Sequence, residues 1–184
     1  MAVRTPRDYF EAGLAILSAH GNSALTIYSL CSALGSSKGS FYHHFPSMSA
    51  YTRSLMEFWE LEQAHRFAQL RLAEDDPRRR LTMLIEIGAE LPHEAESALR
   101  AWARSEAVVS AVLERIDAAR EQAIAEGYER VGLHAEDAGL FARMSLAILL
   151  GVQARENPVD RVGLRRMFEH TMAEALSTIS PMTG

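Results

Sequence analysis

A chain of 184 residues can form one compact domain or two small ones, with a sizeable core and no need of metal or disulfide staples. Its composition, 48% hydrophobic and 23% charged with Gly 11 and Pro 6, excludes collagen-like, low-complexity and disordered chains; its longest apolar stretch, Met144 to Val152, is too short for a membrane span. With 19 Lys+Arg against 24 Asp+Glu the formal net charge is -5, which by itself argues against a protein made to coat nucleic acid.

Helical periodicity runs through the chain, and no alternating run is long enough to propose a strand, so the fold class is all-α with about nine helices. The first helix, about Arg7 to Ala19, places Phe10, Leu14 and Leu17 on one face and stops at Gly21-Asn22. Thr26 is the expected N-cap of a second, short helix in which Ile27, Leu30, Cys31 and Leu34 form a buried stripe, ended by Gly35. A third begins at Ser36 or Ser37 and runs to Phe45, before Pro46, with Phe41 and Phe45 pointing inward.

A long amphipathic stretch follows from Ser47 to Ala73, broken by Glu74-Asp75-Asp76-Pro77, with Asp76 as the next N-cap and Pro77 as first helical residue. Residues 78–91 are apolar on most sides apart from Thr82, Glu86 and Glu90, which predicts a central helix. Two more are expected at 93–104 and 106–126. Gly127 should close the latter and leave a polar loop from Tyr128 to His134. The last two run near 135–156 and 160–179.

Thr26 to Phe45 reads as one unit: a short helix, a tight turn at Leu34-Gly35-Ser36, and a second short helix. This is the pattern of a helix-turn-helix, whose second helix enters the major groove of DNA. If Phe41 and Phe45 define its buried side, the helical step puts Gly39, Ser40 and His43 roughly opposite, flanked by Tyr42 and His44. Glycine inside a helix costs stability, so Gly39 on the exposed face makes sense where another backbone approaches closely. Lys38, the only lysine, sits in the first turn, where phosphate is the expected ligand.

On these residues, Leu25-Thr26-Ile27 and the run Gly35-Ser36-Ser37-Lys38-Gly39-Ser40-Phe41-Tyr42-His43-His44-Phe45-Pro46-Ser47, the sequence resembles the TetR family of bacterial transcriptional regulators. The remaining chain is similar in length and helix order, including Ala101-Trp102-Ala103 before a long helix. The resemblance implies a three-helix DNA-binding domain over 1–46 and a helical ligand-binding and dimerisation domain over 47–184. It implies DNA contacts from Thr26, Ser36, Ser37, Lys38, Gly39, Ser40, Tyr42, His43 and Ser47, with Lys38 and Tyr42 mainly on phosphates. The family usually has a lysine where this chain has Met48, so one backbone contact is replaced, with Ser47 as a neutral substitute.

Other motifs carry less. Gly35 to Ser40 lacks the spacing of a phosphate loop and follows a helix, and His93-Glu94 lacks the second histidine of a zinc-protease motif, which leaves His93 to capping or solvent. His43-His44 are adjacent and diverge on a helix, so no metal site is expected. Cys31 is expected as a small buried hydrophobe; as the one cysteine it can form no internal disulfide, which makes a reducing cytoplasm the expected compartment. Asp8 and Glu11 interrupt any apolar region of a secretion signal. No local Ser/His/Asp spacing supports catalysis, and no cofactor is expected.

Trp59, Met83, Ile87, Trp102, Leu113, Phe141 and Met144 are the candidates to line a cavity for a small-molecule effector, plain core packing being the alternative. In the last two helices Leu140, Met144, Ala147 and Gly151 form one stripe, and Leu164, Met167, Phe168, Met172, Ala175, Leu176 and Ile179 another. Their combined width predicts a two-fold four-helix bundle between protomers, with Gly151 allowing close approach. The expectation is a homodimeric, ligand-responsive regulator, a repressor on a palindromic double-stranded operator; the alternative is a helical binding protein or enzyme whose N-terminal hairpin is structural. Residues 1–56 carry a net +2 and residues 57–184 a net -7, so DNA binding is expected at one end only.

Overall fold

The computed structural model describes residues 4–73 and 76–179. Among these the chain forms nine α-helices and one 3-10 turn: α1 Pro6–His20, the turn Asn22–Ala24, α2 Ile27–Leu34, α3 Lys38–His44, α4 Met48–Ala73, α5 Pro77–Ala89, α6 His93–Ala103, α7 Ala107–Arg130, α8 Ala135–Arg155 and α9 Arg161–Ser177. They assemble into two compact units, Met1–Glu62 with Glu94–Glu114, and Gln63–His93 with Arg115–Gly184. No helix among the described residues is long and apolar enough to cross a membrane.

In the first unit the helix starts are written in short-range chemistry. Thr5 caps α1 by accepting from the Asp8 N–H, while the Asp8 carboxylate accepts from the Thr5 N–H, and Thr26 with Ser29 repeats the reciprocal arrangement on α2. The bonds donated by Thr5 hold the Asp8 carboxyl below its ordinary range. Rings pack the core of this unit. Tyr9 and Phe10 of α1 meet Phe41 of α3, Phe45, and Tyr51 and Phe58 of α4, with centroid separations of 5.1 to 6.0 Å. A Cβ at Gly13 would collide with the Tyr51 hydroxyl, which donates to the Tyr9 carbonyl at 2.9 Å, so glycine there is what lets α4 lie against α1. Burial pushes the Tyr51 phenol well above its ordinary range.

The second unit has two apolar clusters. Leu81, Tyr128, Leu133, Ala138, Phe141 and Ala175 form one, and Leu91, Leu149, Val152, Leu164 and Phe168 the other. Helix α5 contributes to both and packs on α9, as its sparse polar line predicts. Asp76 caps α5 and Pro77 is its first residue, again as expected.

Four expectations are corrected here. Gly127 does not end α7, which continues through Arg130; the left-handed residue that follows is Gly132, with φ +108°. A Cβ at Gly127 would lie 2.8 Å from a Leu81 methyl, so this glycine makes room for α5. Tyr128, assigned to a polar loop, is 3% exposed inside the core. His93 is fully buried: its Nε2 bonds the Ala89 carbonyl at 3.0 Å, and Gln153 Nε2 lies 3.1 Å from its Nδ1. The α9 stripe is mostly consumed internally, since Leu164, Phe168 and Ala175 are buried and Met172, Leu176 and Ile179 pack on the core; only Met167 of that set faces out.

Candidate nucleic-acid interface and ligand cavity

Three residues join α2 to α3. Gly35 takes the left-handed conformation at φ +58° that a side chain rarely adopts, Ser36 donates its N–H to the Cys31 carbonyl at 2.9 Å, and Ser37 caps α3 by accepting from the Ser40 N–H at 3.2 Å. Phe41, fully buried, fixes the inner face of α3. Its outer face exposes Lys38, Gly39, Tyr42 and His43, continued by Ser37 before it and Ser47 after it. Gly39 has no internal packing reason to be glycine, because the nearest atom to an added Cβ is Ser37 Oγ at 3.5 Å. Its open side faces away from the protein.

Ser36 and Ser40 are placed differently from the exposed row. Both are half-buried, and the hydroxyl of buried Tyr9 lies 3.0 Å from each Oγ, donating to Ser40. They sit where α1 grips the start of α3. His44 also turns inward, its Nε2 2.7 Å from the Arg4 carbonyl. Thr26 and Ser47 are helix caps whose oxygens accept backbone N–H groups; the Thr26 hydroxyl in turn donates to Ser29 Oγ at 3.1 Å, while the exposed Ser47 hydroxyl can donate outward. Sequence reasoning passed over Tyr28, on α2 and 75% exposed, the most exposed large apolar side chain among the described residues; its signal was an aromatic residue off the buried stripe.

The positive charge on this side is unevenly used. Arg4 donates through Nε and Nη2 to the Leu34 carbonyl at 3.0 and 2.7 Å, closing the C-terminal end of α2. Arg7 pairs with Glu11 at 2.8 Å and Glu62 at 3.8 Å, which raises its pKa further, and lies over the Phe58 ring. Lys38 and Arg53 are the cations left facing solvent, Arg53 with a 3.3 Å bond to Ser49.

A separate cavity lies inside the second unit, walled by α5, α7, α8 and α9 and leaving about 60 Å³ for the centre of a water-sized sphere. Leu81, Leu84, Ile85, Ile87, Gly88, Leu91, Ile124, Leu146, Leu149, Phe168 and Met172 make it almost wholly apolar; Arg120, Tyr128 and Ser145 are the polar members of its described lining. Of the residues proposed from sequence, Ile87 lines it. Phe141 packs in the adjoining cluster against Tyr128, Met83 is half-buried elsewhere on α5, and Met144 is 43% exposed on α8. Trp59, Trp102 and Leu113 are buried in the first unit. Among the described residues no group of His, Cys, Asp or Glu could hold a metal ion.

The turn, the buried inner face of α3 and its polar outer face define a helix-turn-helix protein with a helical second unit. Residues 10–50 match the model of the bacterial regulatory proteins of the tetR family. The whole fold is shared with solved structures. A TetR transcription regulator from Haloarcula marismortui matches with a TM-score of 0.76 at 17% identity over 95% of this chain and 97% of that one. A protein from Saccharomonospora viridis in complex with choline gives 0.77 at 16% over 91% and 95%, and a TetR-family transcriptional regulator from Agrobacterium tumefaciens 0.69 at 17% over 90% and 96%. No curated protein matches the sequence. The segment 10–50 is thus similar to the DNA-binding segment of the TetR family, and the chain as a whole shares the fold of solved TetR-family transcriptional regulators.

Proposed function

We propose that this chain is a homodimeric transcriptional repressor that binds a palindromic operator and leaves it when a small molecule occupies the cavity of the second unit. The observation that carries the DNA-binding half is the exposed row Ser37, Lys38, Gly39, Tyr42, His43 and Ser47 on a helix whose opposite side is locked by Phe41. Lys38 and Tyr42 position the helix on phosphates, and His43 reads base edges. Gly39 lets the groove wall come close. Ser36 and Ser40, held by Tyr9, set the pitch of α3 and reach DNA only with the hydroxyl face that Tyr9 leaves open.

The dimer half is supported by what the second unit leaves uncovered. Leu140, Met144, Ala147 and Gly151 stay exposed along one face of α8, with Met167 and Val162 exposed on α9, and a Cβ at Gly151 would meet nothing in its own chain. A second copy is the partner of this face. Two recognition helices then require half-sites about one helical turn, or a multiple of it, apart. The choline held by the Saccharomonospora viridis protein supports small-molecule occupancy of this fold.

A mobility shift with DNA from upstream of the protein's own coding region tests the proposal. Salt-sensitive binding that requires both arms of a palindrome is expected. Binding indifferent to sequence, or none, refutes it.

A further inference from the structure

The cavity has a chemical polarity that restricts its ligand. Helix α7 presents Arg120, Ile124 and Tyr128 to it, spaced four residues apart, so a cation, an apolar side chain and a phenol stand in a row about 12 Å long from the first to the last. Arg120 is 3% exposed, with Gln63 Oε1 accepting from its Nη2 at 3.1 Å and Asp117 at 3.8 Å from its Nη1. Asp117 is not part of the lining, and no carboxylate is among the described lining residues. At the other end Tyr128, its ionisation pushed up by burial, remains a neutral phenol beside Ser145, whose hydroxyl donates to the Phe141 carbonyl at 2.9 Å. Everything between and opposite is aliphatic or Phe168.

We infer that the cavity takes a slender hydrophobic carboxylate, an unbranched monocarboxylic acid whose head group faces Arg120 and whose tail runs past Ile124 toward Tyr128. This deepens, and rests on, the reading of the cavity as an effector site. A guanidinium presents its N–H donors in a planar fork that matches a carboxylate, and Arg120, held in place by Gln63 and Asp117, is the one cationic side chain among the described lining residues. A quaternary ammonium finds no carboxylate to face here, so the ligand differs in sign from the choline held by the Saccharomonospora viridis protein. The limited free volume of the cavity favours a single chain over a fused ring system.

Calorimetric titration of the full chain with decanoate, decanol and decyltrimethylammonium, each below its micellar concentration, separates the head groups on an identical tail. Decanoate should bind at least tenfold more tightly than either of the others. Leu146→Trp, which fills the cavity from a half-buried wall position, should remove that binding while the thermal transition persists. Arg120→Gln should bring decanoate down to the affinity of decanol; if that variant does not fold, the head-group ranking on the unaltered protein still decides. Equal or reversed ranking, or decanoate binding untouched by Leu146→Trp, overturns the inference. Operator release is scored separately by mobility shift with decanoate added. Cavity-dependent decanoate binding without release upholds the ligand class and refutes the effector role. Operator binding with no decanoate preference leaves DNA recognition standing and refutes the ligand class.

Discussion

Removing one oxygen atom from Tyr9 should weaken operator binding without any change on the surface that meets DNA. Tyr9 is fully buried, its ring edge-on to Phe41 and Phe45 with centroids 5.8 Å away, and phenylalanine preserves those contacts. What Tyr9→Phe deletes is the pair of 3.0 Å hydrogen bonds to Ser36 and Ser40, which tie the turn and the first turn of α3 to α1. At roughly 1 kcal/mol for each bond the loss is about 2 kcal/mol, nearer 1 if water reaches the half-exposed serines. For a chain of this size that corresponds to a drop in Tm of about 2–8 °C. The same looseness at α3 must be ordered again on DNA, so the operator Kd should rise by a factor of about 5 to 30. The salt slope should be unchanged, because no phosphate contact is removed. Thermal melting and fluorescence anisotropy on an operator duplex measure the two effects. A Tm within about 1 °C of the parent and an unchanged Kd would refute the claim that Tyr9 positions the recognition helix.

Lys38→Ala should weaken binding to all DNA sequences alike and lower the salt slope by about one, whereas His43→Ala should mainly alter sequence preference; mobility shifts across salt and operator variants distinguish them. Gly127→Leu should cost about 1–3 kcal/mol in chemical denaturation, because Leu81 and Leu84 must both move, and should shrink the cavity they line. Tyr51 is kept neutral by burial, so its contribution is complete below about pH 10, where the unfolded chain is also neutral, and declines as pH rises and the unfolded tyrosine ionises. Tyr51→Phe should therefore make the alkaline loss of stability shallower, with Tyr128 supplying a further part. Met144→Asp, on the exposed face of α8, should convert a dimer to a monomer in light scattering; a persistent dimer would move the interface elsewhere.

The charge of the N-terminal segment takes on a narrower meaning once its side chains are placed. Of the four cations in residues 1–56, Arg4 closes the end of α2 and Arg7 is matched by Glu11 and Glu62. On the proposed function, that leaves Lys38 and Arg53 for the phosphate backbone, so each half-site would contribute few released counterions and two half-sites would have to act together. With one lysine in the chain and Met48 where the resemblance implies another, the proposed recognition would rest on geometry more than on charge.

The sequence by itself determined the helix-turn-helix and most helix starts, because those features are settled within a few residues. Thr26 and Ser29 exchange hydrogen bonds across one turn, Gly35 must adopt a conformation other residues avoid, Ser37 caps its own helix, and Pro77 can occupy only the beginning of α5. Only the tertiary structure decided that Gly127 is a contact glycine rather than a stop, since the reason is a Leu81 methyl from another helix. It also decided that Tyr9 holds the two serines, that His93 is buried between Ala89 and Gln153, and that the cavity is walled by Ile87 with neighbours from four helices rather than by the tryptophans. Periodicity identifies which face of a helix is apolar. Which apolar residues touch one another, and where the packing leaves a gap, depends on how distant helices meet.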